Sequence, residues 1–159
     1  MRARATPQGY HSLNPFLRVD DVAQAIEFYT RAFDAKEQFR REFEGKLLVA
    51  VIMIGDSHVM LAAGEVEPKK PTGGNRAGNG LGLKIYVDEV DAIFGQAIDA
   101  GATQEEAVED HFFGERSGDL TDPFGFTWRI AQLLEDLPHE EIERRMQERV
   151  NQKGSSGRE

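Results

Sequence analysis

The four histidines, His11, His58, His111 and His139, are the imidazoles able to hold a divalent ion or move a proton, and Glu115 and Asp119 are carboxylates close to the third of them. Imidazole nitrogen and carboxylate oxygen are what borderline and hard cations take. Each histidine also has an ordinary structural role. His11 precedes the first strand, His58 sits within one, His111 belongs to a polar loop and His139 opens a solvated helix. Nucleophilic chemistry has less to work with. The chain has no cysteine, which removes thiolate attack, disulfides and Cys-ligated zinc. Ser57 and His58 are neighbours in a strand and point to opposite faces, so they form no nucleophile and base pair. His139-Glu140-Glu141-Ile142-Glu143 lacks the second histidine of a zinc-protease helix. Gly78-Asn79-Gly80-Leu81-Gly82 leads into a strand, not into a helix amino terminus that faces a phosphate. With no glycine-rich strand-to-helix loop, a methyltransferase is excluded too. No catalytic residue is assigned.

An internal repeat positions these groups. Leu17-Arg18-Val19-Asp20-Asp21-Val22 returns sixty-eight residues later as Ile85-Tyr86-Val87-Asp88-Glu89-Val90. Behind each acidic pair, Val22, Ala25, Ile26 and Tyr29, then Val90, Ile93, Phe94 and Ala97, recur at helical spacing. Asp20 or Asp21 in one copy and Asp88 in the other are the expected helix caps. Strands follow at 36–43, 46–54 and 57–62 in the first copy, with hairpin signals at Glu44-Gly45 and Gly55-Asp56. The second copy has strands at 81–87 and near 102–109, then two around the tight turn Asp122-Pro123-Phe124-Gly125. Pro15 marks 13–19 as an edge strand. The fold class is therefore α+β: two tandem βαβββ modules, 9–63 and 81–134, forming a curved mixed sheet. A linker, 64–80, joins them, and a C-terminal helix, 135–151, precedes a frayed tail, 152–159. In that helix Ile142, Met146 and Val150 share a face, with Glu140 facing Arg144 and Glu141 facing Arg145.

At 159 residues with a formal net charge of −9 and scattered basic residues, one domain is expected and a nucleic-acid partner is not. No apolar run approaches the roughly 18 to 20 residues of a membrane span. Residues 1–8 lack the hydrophobic centre of a secretory signal, so the expected location is cytoplasmic.

The module order, with Asn14-Pro15-Phe16-Leu17-Arg18-Val19-Asp20-Asp21, Ile26-Glu27-Phe28-Tyr29, Ile54-Gly55-Asp56-Ser57 and Gly118-Asp119-Leu120-Thr121-Asp122-Pro123-Phe124-Gly125-Phe126-Thr127-Trp128, resembles the vicinal-oxygen-chelate superfamily of glyoxalases and bleomycin-resistance proteins, above all its PhnB-like branch. In enzymes of that superfamily the resemblance implies a divalent metal held by His, Gln or Glu from the first and last strand of each module. Those positions fall here on Asn14, Met60, Gly82 and Arg129. They offer an amide, a thioether, no side chain and a guanidinium, which do not make a metal site.

Strand alternation predicts that Asn14, Phe16, Arg18, His58, Met60, Lys84, Tyr86, Thr127 and Arg129 face a concave cup. It sends Leu13, Leu17, Val19, Val59, Leu61, Leu81, Leu83, Ile85, Val87, Trp128 and Ile130 to the core. Arg18, Lys84 and Arg129 make the cup locally cationic. Such charges need water, an anionic ligand or carboxylates such as Glu105, Glu115 and Asp119. Phe112-Phe113 beside Gly114 is a lid or an interface anchor. The expected ligand-binding set is Asn14, Phe16, Arg18, His58, Met60, Lys84, Tyr86, Phe112, Phe113 and Arg129. The expected function is metal-free sequestration of a polar or aromatic compound, with no cofactor, in a homodimer of the kind the resemblance implies. The alternatives are a divalent-metal enzyme of glyoxalase or dioxygenase type with non-standard ligands, and an interaction module without a ligand.

Overall fold

The computed structural model describes residues 5–64 and 80–155. The first module runs β1 (Phe16–Val19), α1 (Val22–Phe33), β2 (Lys36–Phe43), β3 (Lys46–Ile54) and β4 (Ser57–Ala63). The second runs β5 (Gly82–Tyr86), α2 (Val90–Ala100), β6 (Thr103–Asp110), β7 (Glu115–Thr121) and β8 (Thr127–Leu133), and α3 (His139–Ser155) follows. Each module carries its own four-stranded mixed sheet, ordered β1-β4-β3-β2 and β5-β8-β7-β6. The first strand lies parallel to the last and the other pairs are antiparallel. Pro15 thus does precede an edge strand. Pro68, Pro71, Gly73, Gly74 and Gly78 of the expected linker lie outside the described residues, as do Ser156 and Gly157 of the expected tail.

The helices form because one stripe of each is apolar. α1 buries Val22, Ala25, Ile26, Phe28, Tyr29, Ala32 and Phe33, and the Asp21 carboxylate accepts from the Gln24 amide at 3.0 Å. It ends at Asp34 in the left-handed region, a place where aspartate is tolerated. α2 departs from expectation. Its cap is Glu89, which makes no side-chain capping bond, and Asp88 caps nothing; the first amide, Val90, instead donates to Gln132 of β8 at 3.1 Å. A carbonyl oxygen brought in by the sheet does the work assigned to a local carboxylate.

Strand alternation holds inside the ladders. Leu17, Val19, Val59, Leu61, Trp128 and Ile130 are buried, while Phe16, Arg18, Lys84 and Tyr86 are exposed. Leu13 and Leu81 are corrections: both are exposed, at 88% and 67%, because β1 begins only at Phe16 and β5 at Gly82. Outside a ladder, parity no longer dictates a face.

One core serves both modules. α1 lies against α2, and Trp128 of the second module meets Phe33 and Tyr29 of the first at ring separations of 4.9 and 5.6 Å. Asp122 ties the joint. Its buried carboxylate accepts from the Tyr29 hydroxyl (2.5 Å), the Trp128 indole (2.8 Å) and the amides of Phe124 and Phe126 (2.9 Å each). Burial pushes this carboxyl up and the four donors pull it back. Full burial of an aromatic side chain stabilises by roughly 1.5–3 kcal/mol, so this cluster holds the modules as one unit.

Helix α3 also differs from expectation. It continues through Ser155, into the first of the residues expected to fray, and Arg144 pairs with Glu141 and Glu148 in place of Glu140. The Glu141 to Arg145 pair forms as expected, at 2.8 Å. Among the described residues no helix is long and apolar enough to cross a membrane.

Candidate functional site

The faces turned away from the helices are where the expected site residues fall. On the first sheet, two rows cross the four strands: Phe16, Met60, Val51 and Phe39, then Arg18, Ala62, Val49 and Arg41. The surface is an apolar floor bordered by arginines. Arg18 lies over the Phe16 ring at 5.5 Å and Arg41 over Phe39 at 5.6 Å, and neither has a carboxylate partner among the described residues. Phe16 is 51% exposed.

The matching rows of the second sheet are Lys84, Arg129, Asp119 and Glu106, with Gly82, Thr127, Thr121 and Thr103 on one side and Tyr86, Ala131, Ser117 and Glu109 on the other. Here the cations are already paired. Arg129 grips Asp119 through two hydrogen bonds of 2.6 and 2.8 Å. Lys84 and the Tyr86 hydroxyl both donate to Glu115 at 2.6 Å, and the Lys84 ammonium sits 4.7 Å from the Tyr86 ring centre. Burial opposes the charge on Glu115, but its two donors outweigh that and hold the carboxyl below its ordinary range. Lys84 is likewise disfavoured by burial, yet its partners hold it above the ordinary lysine value. The Asp119 pairing raises Arg129 against a smaller opposing effect of burial. Glu105, which accepts from Thr121 at 2.8 Å, and Glu106 make this face acidic. Of the fates open to these cations from the sequence, Lys84 and Arg129 take the pairing with carboxylates. β7 supplies a carboxylate for each cation that β5 and β8 present, and Arg18 has none among the described residues.

A hollow of about 700 Å³ lies on this second face, lined by Lys84, Glu105, Glu106, Asp119, Thr121, Thr127 and Arg129 among others. A larger groove, about 930 Å³, runs between the modules and brings Asn14 and His58 beside Lys84 and Tyr86, over Phe33 and Trp128. Phe16, Arg18, Met60, Phe112 and Phe113 line neither. Asn14 precedes β1 and donates to the His11 carbonyl at 2.6 Å. His58 stacks on Tyr10 at 4.0 Å, and its Nδ1 is buried with no hydrogen-bond partner among the described residues.

The Phe112-Phe113 loop is pinned. Phe113 stacks on His111 at 5.0 Å, and Arg149 of α3 covers the Phe112 ring at 5.4 Å. His111 Nε2 lies 2.8 Å from the Ser117 hydroxyl, which is buried beneath it. Gly114 has φ +87, its carbonyl accepts from the Leu134 and Glu135 amides, and an added Cβ would meet the Glu135 carbonyl oxygen at 2.4 Å. Only glycine fits there. A loop held on both sides is a poor lid.

Sequence reasoning missed Tyr10, Glu106 and the Tyr29 to Asp122 tie. The alternation Glu115, Ser117, Asp119, Thr121 was a usable signal for the lining contributed by β7. Nothing local links Tyr29 to a turn ninety-three residues away.

At the four positions where relatives of this fold would carry metal ligands, the donor set does not fit a cation. Met60 presents a thioether to an apolar row, Gly82 has no side chain, Asn14 is engaged with its own turn, and Arg129 is a cation committed to Asp119. Among the described residues no three His, Asp or Glu side chains gather closely enough to hold a metal ion.

A model of the Glyoxalase/Bleomycin resistance protein/Dioxygenase superfamily matches residues 10–130. An uncharacterised Mycobacterium tuberculosis protein, Rv0887c, is 38% identical over 139 residues, covering 85% of this chain and 82% of its own. Among solved structures, TioX from Micromonospora sp. ML1 superimposes with a TM-score of 0.60 at 21% identity, covering 80% of this chain and 100% of TioX. The PhnB protein from Bacillus cereus gives 0.59 at 17%, covering 77% and 99%. At such identities the structural likeness is one of fold.

Proposed function

Because this chain belongs to the Glyoxalase/Bleomycin resistance protein/Dioxygenase superfamily, we propose that it is a small-molecule-binding protein that works without a metal. The observation that carries this reading is the hollow on the second sheet, where the chelating position is filled by Arg129 and locked to Asp119. A guanidinium there repels a cation and offers fixed donors and acceptors to a polar ligand instead. The Lys84, Tyr86 and Glu115 group beside it adds a hydroxyl and an ammonium held in place.

Among the described residues none from the first sheet lines the hollow. A second copy supplies the missing wall in this proposal. The arginine-bordered apolar face, with Arg18 and Arg41, complements the acidic face that carries Glu105, Glu106 and Glu109. Such closure stacks an aromatic ligand on Phe16 and Met60 while its polar groups meet Arg129 and Thr127.

A thermal-shift screen of aromatic, peptide-antibiotic and anionic compounds, with manganese, nickel and zinc salts as a separate arm, tests the reading. The expected result is a stabilising organic compound whose shift shrinks in Arg129→Ala. Stoichiometric retention of a divalent ion after desalting, lost in variants at His58 or Glu115, would instead support a metal enzyme with unusual ligands.

A further inference from the structure

Both cations on the second concave face are already matched, and that sets the sign of the hollow. Lys84 is held by Glu115 and Arg129 by Asp119, each at 2.6 Å. The lining of the hollow carries Glu105 and Glu106 besides. With each cation assigned to its own carboxylate, these two acids are left over. Neither forms an ion pair among the described residues, and Glu105 takes one hydrogen bond, from the Thr121 hydroxyl at 2.8 Å.

Neighbouring residues of a regular strand point to opposite faces, so one of two consecutive glutamates would face away from the hollow. A bulge in β6 changes that. Gln104 pairs with Leu120 and Glu106 with Asp119, so β6 has two residues where β7 has one, and Glu105 is the extra residue. Glu106 then stands in the row of Asp119, Arg129 and Lys84, while Glu105 turns to Thr121 in the next row. Both reach the hollow. Read from β5 to β6, that row runs cation, cation, carboxylate, carboxylate, and its uncompensated charge lies at the β6 end. Two carboxylates side by side with no cation between them repel each other, and a positive charge set against both relieves the repulsion.

We infer that the hollow takes an organic cation, a protonated amine or amidine, whose charge sits against Glu105 and Glu106 while its remaining polar atoms face Arg129 and Thr127. A metal ion fits less well, because among the described residues no three His, Asp or Glu side chains gather closely enough to hold one. An amidinium needs only the charge and the acceptor oxygens that two carboxylates provide. The assignment rests on the hollow being the ligand site, as proposed, and adds the charge of the ligand. The rival claimants on these carboxylates are the first-sheet arginines of a second copy, and the experiment separates the two.

Benzamidine, benzamide and benzoate share a ring and differ in charge, and isothermal titration calorimetry of the full chain against each tests the assignment. Benzamidine should bind about fivefold more tightly than benzamide, and benzoate more weakly than either. Glu105→Gln and Glu106→Gln should each lower the benzamidine affinity about twofold, and the double variant should erase the preference for charge. Equal affinity for the three compounds, tighter binding of benzoate, or an unchanged ranking in the double variant overturns the inference, as does a chain that binds none of them at millimolar concentration. A double variant that loses self-association in sedimentation velocity but keeps the ranking assigns the carboxylates to the second copy and overturns it as well. Should a neutral or anionic compound stabilise the chain, with a shift that shrinks in Arg129→Ala, the binding-protein reading stands and the cation alone is lost.

Discussion

The two modules share a backbone plan and have parted company on their concave faces. Where the first sheet carries Phe16 beside Met60, the second carries Lys84 beside Arg129 at the same register. Where the first has Arg18 lying on a ring, the second has Tyr86 donating to a buried carboxylate. On the helix side the modules have not diverged in character, because there they share one apolar core. Duplication conserves what packing requires and frees what faces solvent. One concave face is an apolar surface edged by arginines and the other a surface of paired charges.

The largest expected effect lies in the shared joint. Asp122→Ala removes the acceptor for four donors, two of them buried side chains and one of those, Tyr29, from the other module, and should destabilise by about 3 kcal/mol or more. Urea unfolding followed by Trp128 fluorescence reads this; two separate transitions in the wild type would mean the modules are not one cooperative unit. Next, Gly114→Ala forces a Cβ against the Glu135 carbonyl at positive φ and should cost about 2 kcal/mol, in the same unfolding measurement. A loss of a few tenths would show the loop to be less tightly held than its geometry implies.

The second concave face makes its own prediction. Folded Glu115 binds a proton less readily than it does in the unfolded chain, so the stability it contributes is complete above the ordinary carboxylate value of 4.5 and drains as pH falls through the lower folded value. Lys84 runs the other way. Its contribution is complete below 10.5 and is lost as pH rises through a higher folded value. Glu115→Gln should therefore cost about 1–2 kcal/mol through the neutral range, with the gap from wild type closing below pH 4.5. Equal gaps at pH 3 and pH 7, read from urea midpoints, would contradict the pairing. The smallest effect is expected on the first face, where Arg18→Ala should change stability by no more than about 0.5 kcal/mol. A larger loss would mean that this wall is already closed in the free chain.

The repeat, the helix stripes and the strand parity were legible because each is a local periodicity that burial must respect. Asp21 was readable as one of two caps for the same reason. Asp88 was not, because the competing acceptor, Gln132, comes from a strand forty-two residues away. Leu13 and Leu81 misled because a ladder's ends cannot be read from alternation alone. That Glu115 and Asp119 could answer the cations of the cup was legible from residue type, but the choice between pairing and a ligand was not, since Lys84 and Arg129 lie on β5 and β8 and their carboxylates come from β7.

By itself the chain's order of residues determined the two βαβββ modules and most of their core-facing side chains, which depend on residue type and short-range spacing; at the four positions that the resemblance singles out, residue type alone gives an amide, a thioether, no side chain and a guanidinium. The tertiary structure alone decided which cation meets which carboxylate, that Tyr29 and Asp122 lock the modules together, and that a hollow opens over the second sheet. Those are contacts between segments far apart in sequence, and only the packing of one element on another selects them from the many that composition allows.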